Sequence, residues 1–318
     1  MFIVCGEALF DVFMADGVEM TAVNVPFNAR VGGSPFNVAI GLARFGQPVG
    51  MLTGLSTDFL GERLLAVLQD EGVDTRLIAR KAAPTTLGFV QHDADGIPSY
   101  AFYGNGAADR LLTLDDVNVD LGAAIGIHLG SYSIVAQPTA DSYLALVRQQ
   151  SGKRILSLDP NIRLNVEPDL DVWRKRVAEL LPLVDMVKVS DEDLQSLYPG
   201  ADLEAVAASW LAQGPKLLVL TRGGAGATLW SQQARVDVVA PRVQVVDTVG
   251  AGDTFQASLI DAVIRLHASL ADHWWQALSA DKLQDIGRFA AAAAAITCSR
   301  RGADLPIRAE VLASLGDL

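Results

Sequence analysis

The sequence predicts an α/β fold in which helices cover both faces of a doubly wound, mostly parallel β-sheet, with a small β-sheet lid beside it. The first observation is that strand-like and helix-like segments alternate from Gly126 onward, as βαβ units require. The second is that two β-rich segments, at about 12–31 and 85–104, fall outside this alternation. The third is that the 318 residues, half of them hydrophobic, suffice for a full core. We expect one domain over residues 1–318, with the lid formed by the two insertions.

The N-terminal part predicts one strand, two helices and the two lid segments. Met1–Glu7 is a short apolar run, typical of a buried strand. We expect Ser34 to cap a helix over Ser34–Phe45. A second helix is predicted over Asp58–Glu71, whose leucines recur on one face.

Turn signals divide the lid segments. Asp16-Gly17 marks a turn in the first segment. Thr85–Gln91 and Ser99–Tyr103 flank Asp93–Gly96 as the arms of a hairpin would. We interpret the two segments as parts of one small sheet.

The rest of the chain alternates between the two kinds of element. The predicted strands are Ile155–Leu158, Met186–Val189, Leu217–Leu220 and Val243–Val246. The predicted helices are Ala140–Gln150, Val172–Leu181, Leu203–Gln213, Lys282–Cys298 and Ala309–Leu315. A second hairpin is predicted from Thr228–Ser231 and Arg235–Val239.

Composition excludes several classes of protein. With 25 basic and 37 acidic residues the net charge is −12, which disfavours nucleic acid held by phosphate contacts. The two cysteines, Cys5 and Cys298, cannot form a disulfide framework, and we expect free buried thiols in a reducing compartment, with one bridge as the alternative. No Lys or Arg precedes Arg30, and the longest apolar run, Phe289–Ile296, is far shorter than the roughly 20 residues of a membrane span. We expect a cytoplasmic protein with neither a nucleic acid nor a membrane as partner.

Polar and glycine-rich segments follow several predicted strands. These segments are Asp11, Asp159–Arg163, Ser190–Asp193, Thr221–Gly226 and Asp247–Thr254. Because ligands of open α/β sheets bind beyond the carboxyl ends of the strands, we expect the ligand site there.

The segment Gly250–Asp253 has the properties of an anion cradle. It lies between a predicted strand and a helix, and its small residues let backbone N–H groups turn toward one point at the positive end of that helix. Asp253 would repel a phosphate that merely binds there, but the conflict disappears if its carboxylate takes a proton from an attacking hydroxyl. The alternative is that Asp253 only caps the helix.

Fingerprints of other enzyme classes do not occur in the sequence. It has no G-x-x-x-x-G-K-[ST], no G-x-G-x-x-G after the first strand, and no H-E-x-x-H, C-x-x-C or G-x-S-x-G. The four histidines are scattered along the sequence, and we interpret each as a structural or a surface residue.

Three segments resemble signatures of one family. Asp247–Phe255 (DTVGAGDTF) closely resembles the C-terminal signature of the ribokinase, or PfkB, family of sugar kinases. Gly32–Ala39 (GGSPFNVA) resembles the N-terminal signature, and Gly6–Asp11 (GEALFD) resembles the opening strand with its sugar-binding aspartate. The resemblance covers essentially the whole chain, and it implies a ribokinase-like fold and phosphorylation of a sugar hydroxyl by ATP.

The resemblance also implies roles for individual residues. Asp253 would be the general base, with an anion hole formed by Gly250, Ala251 and Gly252. The sugar would be bound by Asp11, Gly33, Asn37, Tyr103 and Arg163. The nucleotide would be bound by Ser190, Thr221, Gly223, Gly226 and Cys298. The alternatives are ordinary turns, caps, salt bridges and core packing at these positions.

The implied metal site departs from the family's pattern. Where the family often has N-x-x-E, this chain has Ser190 in place of Asn and Asp193 in place of Glu. The oxygen ligands of Mg²⁺ survive this change, with either Glu192 or Asp193 facing the metal. A monovalent cation such as K⁺ is also implied, with Asp247 as its neighbour.

The match is closest to the branch of fructokinases and 2-keto-3-deoxygluconate kinases, of which Asp159–Arg163 is typical. Kinases of acid sugars tend to add a second Arg near Gly104, which offers no charge. Since a buried carboxylate without that partner is costly, fructose phosphorylated on its 6-hydroxyl is favoured. Arg110, close by in the sequence, would reverse this argument if it supplied the charge.

Three functions therefore stay open. They are a fructokinase, another sugar or nucleoside kinase of the same fold, and a sugar-binding regulatory protein without catalysis, against which an intact Asp253 argues. Lids of this family often pair across a dimer, and the aromatic residues Phe27, Phe89, Tyr100 and Phe102 suit such burial. We expect a homodimer formed through the lid.

Overall fold

A computed structural model describes residues 1–15, 21, 23–92 and 98–316. Its strands are β1 (Phe2–Cys5), β2 (Leu9–Met14), β3 (Phe27–Gly32), β4 (Val49–Leu52), β5 (Gly54–Ser56), β6 (Ala79–Lys81), β7 (Leu87–His92), β8 (Pro98–Tyr103), β9 (Gly126–Gly130), β10 (Ile155–Asp159), β11 (Met186–Ser190), β12 (Leu217–Thr221), β13 (Ala227–Ser231) and β14 (Arg235–Val238). Its helices are α1 (Ser34–Arg44), α2 (Phe59–Asp70), α3 (Leu114–Val117), α4 (Thr139–Gln150), α5 (Leu170–Leu180), α6 (Asp191–Leu197), α7 (Leu203–Leu211), α8 (Ala251–Leu270), α9 (Ala280–Cys298) and α10 (Arg308–Gly316).

The main sheet has eight strands in the order β14-β13-β12-β11-β10-β9-β1-β4. The strands from β12 to β4 run parallel, and β13 and β14 are antiparallel to their neighbours. The predicted mostly parallel, doubly wound sheet is confirmed, as is the second hairpin.

Helices cover both faces of the main sheet. Side chains alternate between two hydrophobic clusters, so that Val4 joins α1, α2, α8, α9 and α10 on one face and Ile3 joins α3 to α7 on the other. None of the helices in the described ranges is long and apolar enough to cross a bilayer.

A four-stranded sheet in the order β3-β2-β7-β8, here called the lid sheet, stands apart from the main sheet. It combines the two predicted insertions, and its first strand begins at Leu9, a few residues before the predicted boundary. The predicted turns at Asp16-Gly17 and Asp93–Gly96 lie outside the described residues.

One predicted strand is wrong. Val243–Val246 lies in no strand, and Val243, Val245 and Val246 are 40%, 60% and 52% exposed. The preference of valine for strands reflects packing on a pleated surface, which these exposed side chains do not have. The segment is tied instead to the end of α9, where the Val246 N–H donates to the Cys298 carbonyl over 2.8 Å.

The helices α1 and α8 pack closely against each other. A Cβ on Gly41 of α1 would lie 2.8 Å from the Cβ of Ala257 on α8, which is closer than real Cβ contacts allow. The absence of a side chain at Gly41 therefore allows the two helices to pack this closely.

Candidate active site

The carboxylate of Asp253 is held by two side chains that are distant from it in the sequence. It lies in the first turn of α8 and is 8% exposed. The Ser34 hydroxyl donates to Oδ1 over 2.6 Å, and the Asn37 side-chain amide donates to Oδ2 over 2.8 Å. The residue that caps α8 is Gly250, with no side-chain cap, so the reading of Asp253 as a local cap is excluded.

The start of α1 explains why Ser34 is free to bind Asp253. The helix is capped by Gly33, at φ 106°, without a side-chain cap, and a Cβ there would lie 2.7 Å from the Glu7 carbonyl oxygen. The prediction that Ser34 caps the helix is therefore wrong. Its hydroxyl and the Asn37 amide both orient the buried carboxylate.

Among the described residues, the backbone at the start of α8 has free N–H groups next to a glycine that the fold requires. Gly250 has φ 80°, and a Cβ on it would lie 2.7 Å from the Cβ of Ala303, so this position needs glycine. The Ala251 N–H donates to the Thr248 carbonyl over 3.2 Å. The N–H groups of Gly252 and Asp253, in the first turn of a 20-residue helix, have no acceptor in the described part of the chain. They can bind an anion.

A buried ion pair beside the cradle was missed by the sequence analysis. Lys188 Nζ lies 2.8 Å from Asp159 Oδ2, and the two side chains are 5% and 1% exposed. The same Nζ lies 3.7 Å from where a Cβ on Gly252 would be. A lysine inside the apolar strand β11 was the signal, because a lysine is almost never buried without a partner.

Two cationic side chains, Lys188 and Arg163, affect the pKa values of the buried carboxyl groups of the site. Burial raises the pKa of Asp253, and the hydrogen bonds from Ser34 and Asn37, with the charges of Lys188 and Arg163, oppose the rise. Burial raises the pKa of Asp11 to about 7, against the charge of Arg163. Arg163 thus lies close to both carboxylates.

Tyr103 does not join the other predicted sugar residues. Cross-strand pairing places Asp11, Gly88 and Phe102 on one face of the lid sheet, so that Tyr103, the next residue along, lies on the opposite face. Tyr103 is 67% exposed, and its ring packs edge-on against Phe89 with centroids 5.4 Å apart.

Gly104 itself carries no charge, but the charged side chain of Arg110 lies directly beside it. A Cβ on Gly104 would lie 2.4 Å from Arg110 Nη2, so the Arg110 guanidinium fills the space that a side chain would need. The guanidinium lies over the ring of Tyr132, 4.7 Å from its centroid. Its buried Nε and Nη2 have no hydrogen-bond partner among the described residues. The argument for a neutral sugar from Gly104 therefore fails.

The predicted nucleotide residues lie on neighbouring loops. Thr221 ends β12, and Gly223 and Gly226 shape the loop after it, with φ 47° and 95°. Cys298 ends α9, a half-buried free thiol rather than the fully buried one expected. Asp247 accepts hydrogen bonds from the N–H groups of Val249 and Gly302 over 3.0 and 2.8 Å, which fixes the loop before the cradle.

The two candidate metal ligands differ in their surroundings. Glu192 is exposed. Asp193 is 8% exposed, accepts a hydrogen bond from the Ile162 N–H over 2.8 Å, and lies near enough to Asp159 to raise its pKa. Ser190 caps α6 by accepting from the Asp193 N–H. No group of three or more His, Cys, Asp or Glu side chains that could hold a metal ion forms within the described ranges.

The chain belongs to the pfkB family of carbohydrate kinases, whose pattern matches residues 2–310. It is therefore a sugar phosphotransferase with the ribokinase-like fold, as the signatures predict.

Several similar proteins of known name are fructokinases. A fructokinase of Rhizobium leguminosarum bv. trifolii is 40% identical over 261 residues, which cover 82% of this chain and 78% of that protein. Fructokinase-1 of Zea mays is 35% identical over 315 residues, 96% of this chain and 95% of that protein. The crystal structure of a fructokinase with bound ATP from Xylella fastidiosa has a TM-score of 0.84 at 30% identity, covering 99% of this chain and 98% of that one.

We expect the Asp11 carboxyl to titrate near neutrality. Its pKa is raised to about 7, so lowering the pH through that range protonates it and removes its charge, and raising the pH restores the carboxylate. Carbon-13 NMR of aspartate carboxyls should show a signal titrating near 7 that disappears in Asp11→Asn. Asp74 is the control, because the Arg76 guanidinium lowers its pKa. A titration of Asp11 near 4 would contradict the prediction.

Proposed function

We propose that the protein is a fructokinase that transfers the γ-phosphoryl group of ATP to the 6-hydroxyl of fructose. The observation that carries the proposal is the buried Asp253 carboxylate, held by Ser34 and Asn37 beside two unpaired backbone N–H groups. The relatives named fructokinase support the choice of sugar. So does the resemblance to a Vibrio cholerae fructokinase described with fructose, ADP and potassium bound, at 25% identity and TM-score 0.83.

In the proposed reaction Asp253 takes the proton of the sugar hydroxyl. The bond from the hydroxyl oxygen to the γ-phosphorus forms, the bond from that phosphorus to the β–γ bridging oxygen breaks, and ADP leaves with its electron pair. A raised pKa makes Asp253 a better proton acceptor near neutral pH than an ordinary carboxylate. The first-turn N–H groups of Gly252 and Asp253 bind the phosphoryl oxygens.

The sugar lies between the main sheet and the lid sheet. Asp11 and Arg163 hydrogen-bond its hydroxyls, and Asn37 and the Gly33 backbone border it. A lid excludes water, which would otherwise compete for the phosphoryl group.

The nucleotide runs from the cradle along Thr221 to Cys298. Mg²⁺, when bound, neutralises phosphate charge, and Asp193 is the carboxylate that would hold it through water, since Glu192 is exposed. Asp247 would lie beside a monovalent cation. We place the enzyme in the cytoplasm, because both cysteines are free thiols.

The second candidate substrate is 2-keto-3-deoxygluconate. The observation that favours it is Arg110, whose guanidinium stands where Gly104 leaves space and has two buried nitrogens without hydrogen-bond partners among the described residues. A planar guanidinium fits a carboxylate well.

We propose that two copies pair through the outer face of the lid sheet. This face carries Met14, Phe27 and Tyr103, which are 43%, 46% and 67% exposed, around Phe89. An apolar face of this kind is typical of an interaction surface.

The base is tested with Asp253→Asn. We expect kcat to fall by about 10²–10⁴-fold, because proton acceptance is lost, with the fructose affinity little changed. ADP release measures kcat, and calorimetry measures sugar binding. Asp237→Asn, at an exposed carboxylate of β14, is the control. Full activity in Asp253→Asn would remove Asp253 from the role of base.

The substrate is tested with a panel of fructose, 2-keto-3-deoxygluconate, ribose, glucose and adenosine. We expect turnover with fructose to exceed that with every other compound. If the acid sugar is preferred and Arg110→Met abolishes that preference, the second candidate is correct. Sugar binding without turnover on the whole panel would support a regulatory protein instead.

The dimer is tested by light scattering of Tyr103→Ser/Phe27→Ser. We expect a dimeric mass for the unchanged protein and a monomeric mass for the variant, because the change removes apolar surface from the interface. Val239→Ser, which alters an apolar residue that is 82% exposed elsewhere, should stay dimeric. A monomeric unchanged protein would refute the pairing.

A further inference from the structure

We infer that Lys188 contacts the phosphoryl group during its transfer and that Asp159 is the residue that positions Lys188. The inference rests on the proposed function, since it concerns the same phosphoryl transfer. It assigns a role to Lys188, which lies outside the family signatures in this sequence, and to its ion-pair partner Asp159.

The position of the ammonium is the first argument. Lys188 lies on β11, between β12 and β10 in the parallel part of the main sheet. Apart from Gly252's chain neighbours and the nearby backbone of α8, its Nζ is the only heavy atom in the described part of the chain within 4 Å of where a Cβ on Gly252 would lie, at 3.7 Å. The cradle and the ammonium therefore border the same open space, in which an anion bound to the Gly252 N–H would sit.

The supply of hydrogen-bond donors is the second argument. An ammonium has three N–H donors. Asp159, 2.8 Å away, is the one carboxylate within 4 Å of Nζ among the described residues. The ion pair thus fixes the ammonium and leaves donors for a ligand.

The local charge is the third argument. Asp159, Asp193 and Asp253 are all buried, and their carboxylates would repel a triphosphate. Lys188 opposes the burial-induced rise in pKa of both Asp159 and Asp253, so its charge acts on both carboxylates. The buried cation offsets the repulsion at the point where the phosphoryl group passes from the nucleotide to the sugar.

The chemistry indicates where this cation contributes most. The transferring group carries charge on its three equatorial oxygens while it lies between donor and acceptor. A fixed ammonium in a poorly solvated site stabilises that charge without reorganisation. Lys188 forms no covalent bond, and the bonds and proton move as in the proposed reaction.

The first experiment measures the kinetics of Lys188→Met, which keeps the length of the side chain and removes its charge. We expect kcat to fall by about 10²–10³-fold, with the KM for fructose changed by less than about threefold. Lys81→Met is the matched control, because Lys81 forms a 2.6 Å ion pair with Asp116 elsewhere, and it should retain full kcat. If Lys188→Met keeps the kcat of an active unchanged enzyme, the inference alone is overturned. If the unchanged enzyme phosphorylates no sugar, the proposed function falls as well.

The second experiment separates a role in the transition state from a structural role. Aluminium fluoride with ADP and fructose mimics the group in transfer, and we expect it to tighten ADP binding to the unchanged enzyme but not to Lys188→Met. Lys188→Met/Asp159→Asn removes both charges, which avoids an unpaired buried carboxylate. It should keep ADP and fructose binding and also lack the tightening by fluoride. If either variant retains that tightening, Lys188 does not contact the phosphoryl group.

Discussion

The contact between the first turns of α1 and α8 is the constraint on which the site depends. Ser34 and Asn37 reach the two oxygens of Asp253 only because the helices approach closely, with Gly41 facing Ala257. Residues more than 200 positions apart in the chain thus share one carboxylate. The hydrogen bonds stabilise its charged form in a buried site, and they oppose the rise in pKa that burial alone would cause.

Electrostatic balance determines what the site can hold. Four carboxylates, those of Asp11, Asp159, Asp193 and Asp253, lie near one another, although a triphosphate must approach them. Lys188 and Arg163 supply opposing charge, and both counteract the rise that burial causes in the pKa of Asp253. The helix N-terminus adds partial positive charge at the cradle. The chain is strongly acidic overall, with a net charge of −12, so affinity for an anion has to come from these few fixed groups.

The sequence predicted local features well and contacts between distant elements poorly. Apolar runs and turn signals located β10, β11, β12 and both hairpins, because these elements are decided by nearby residues. The strand predicted at Val243–Val246 was wrong, because these valines are exposed and do not pack on a sheet. The signatures located Asp253, but the bond from Ser34 depends on packing between α1 and α8, and a serine before a helix equally predicts a cap. Lys188 escaped notice because a single charge in an apolar strand belongs to no motif, although burial of that charge requires a partner such as Asp159.

The chain connects the lid sheet directly to the start of α1, which holds Asp253. Strand β1 of the main sheet leads directly into β2, which carries Asp11, and β3 ends at Gly32, two residues before Ser34. A Cβ on Gly33 would collide with the Glu7 carbonyl, so both crossings between the sheets touch at this point. A displacement of the lid sheet therefore acts on Asp11 and on the start of α1 together. The start of α1 holds the Asp253 carboxylate through Ser34 and Asn37, so the position of the lid sheet and the orientation of that carboxylate are linked.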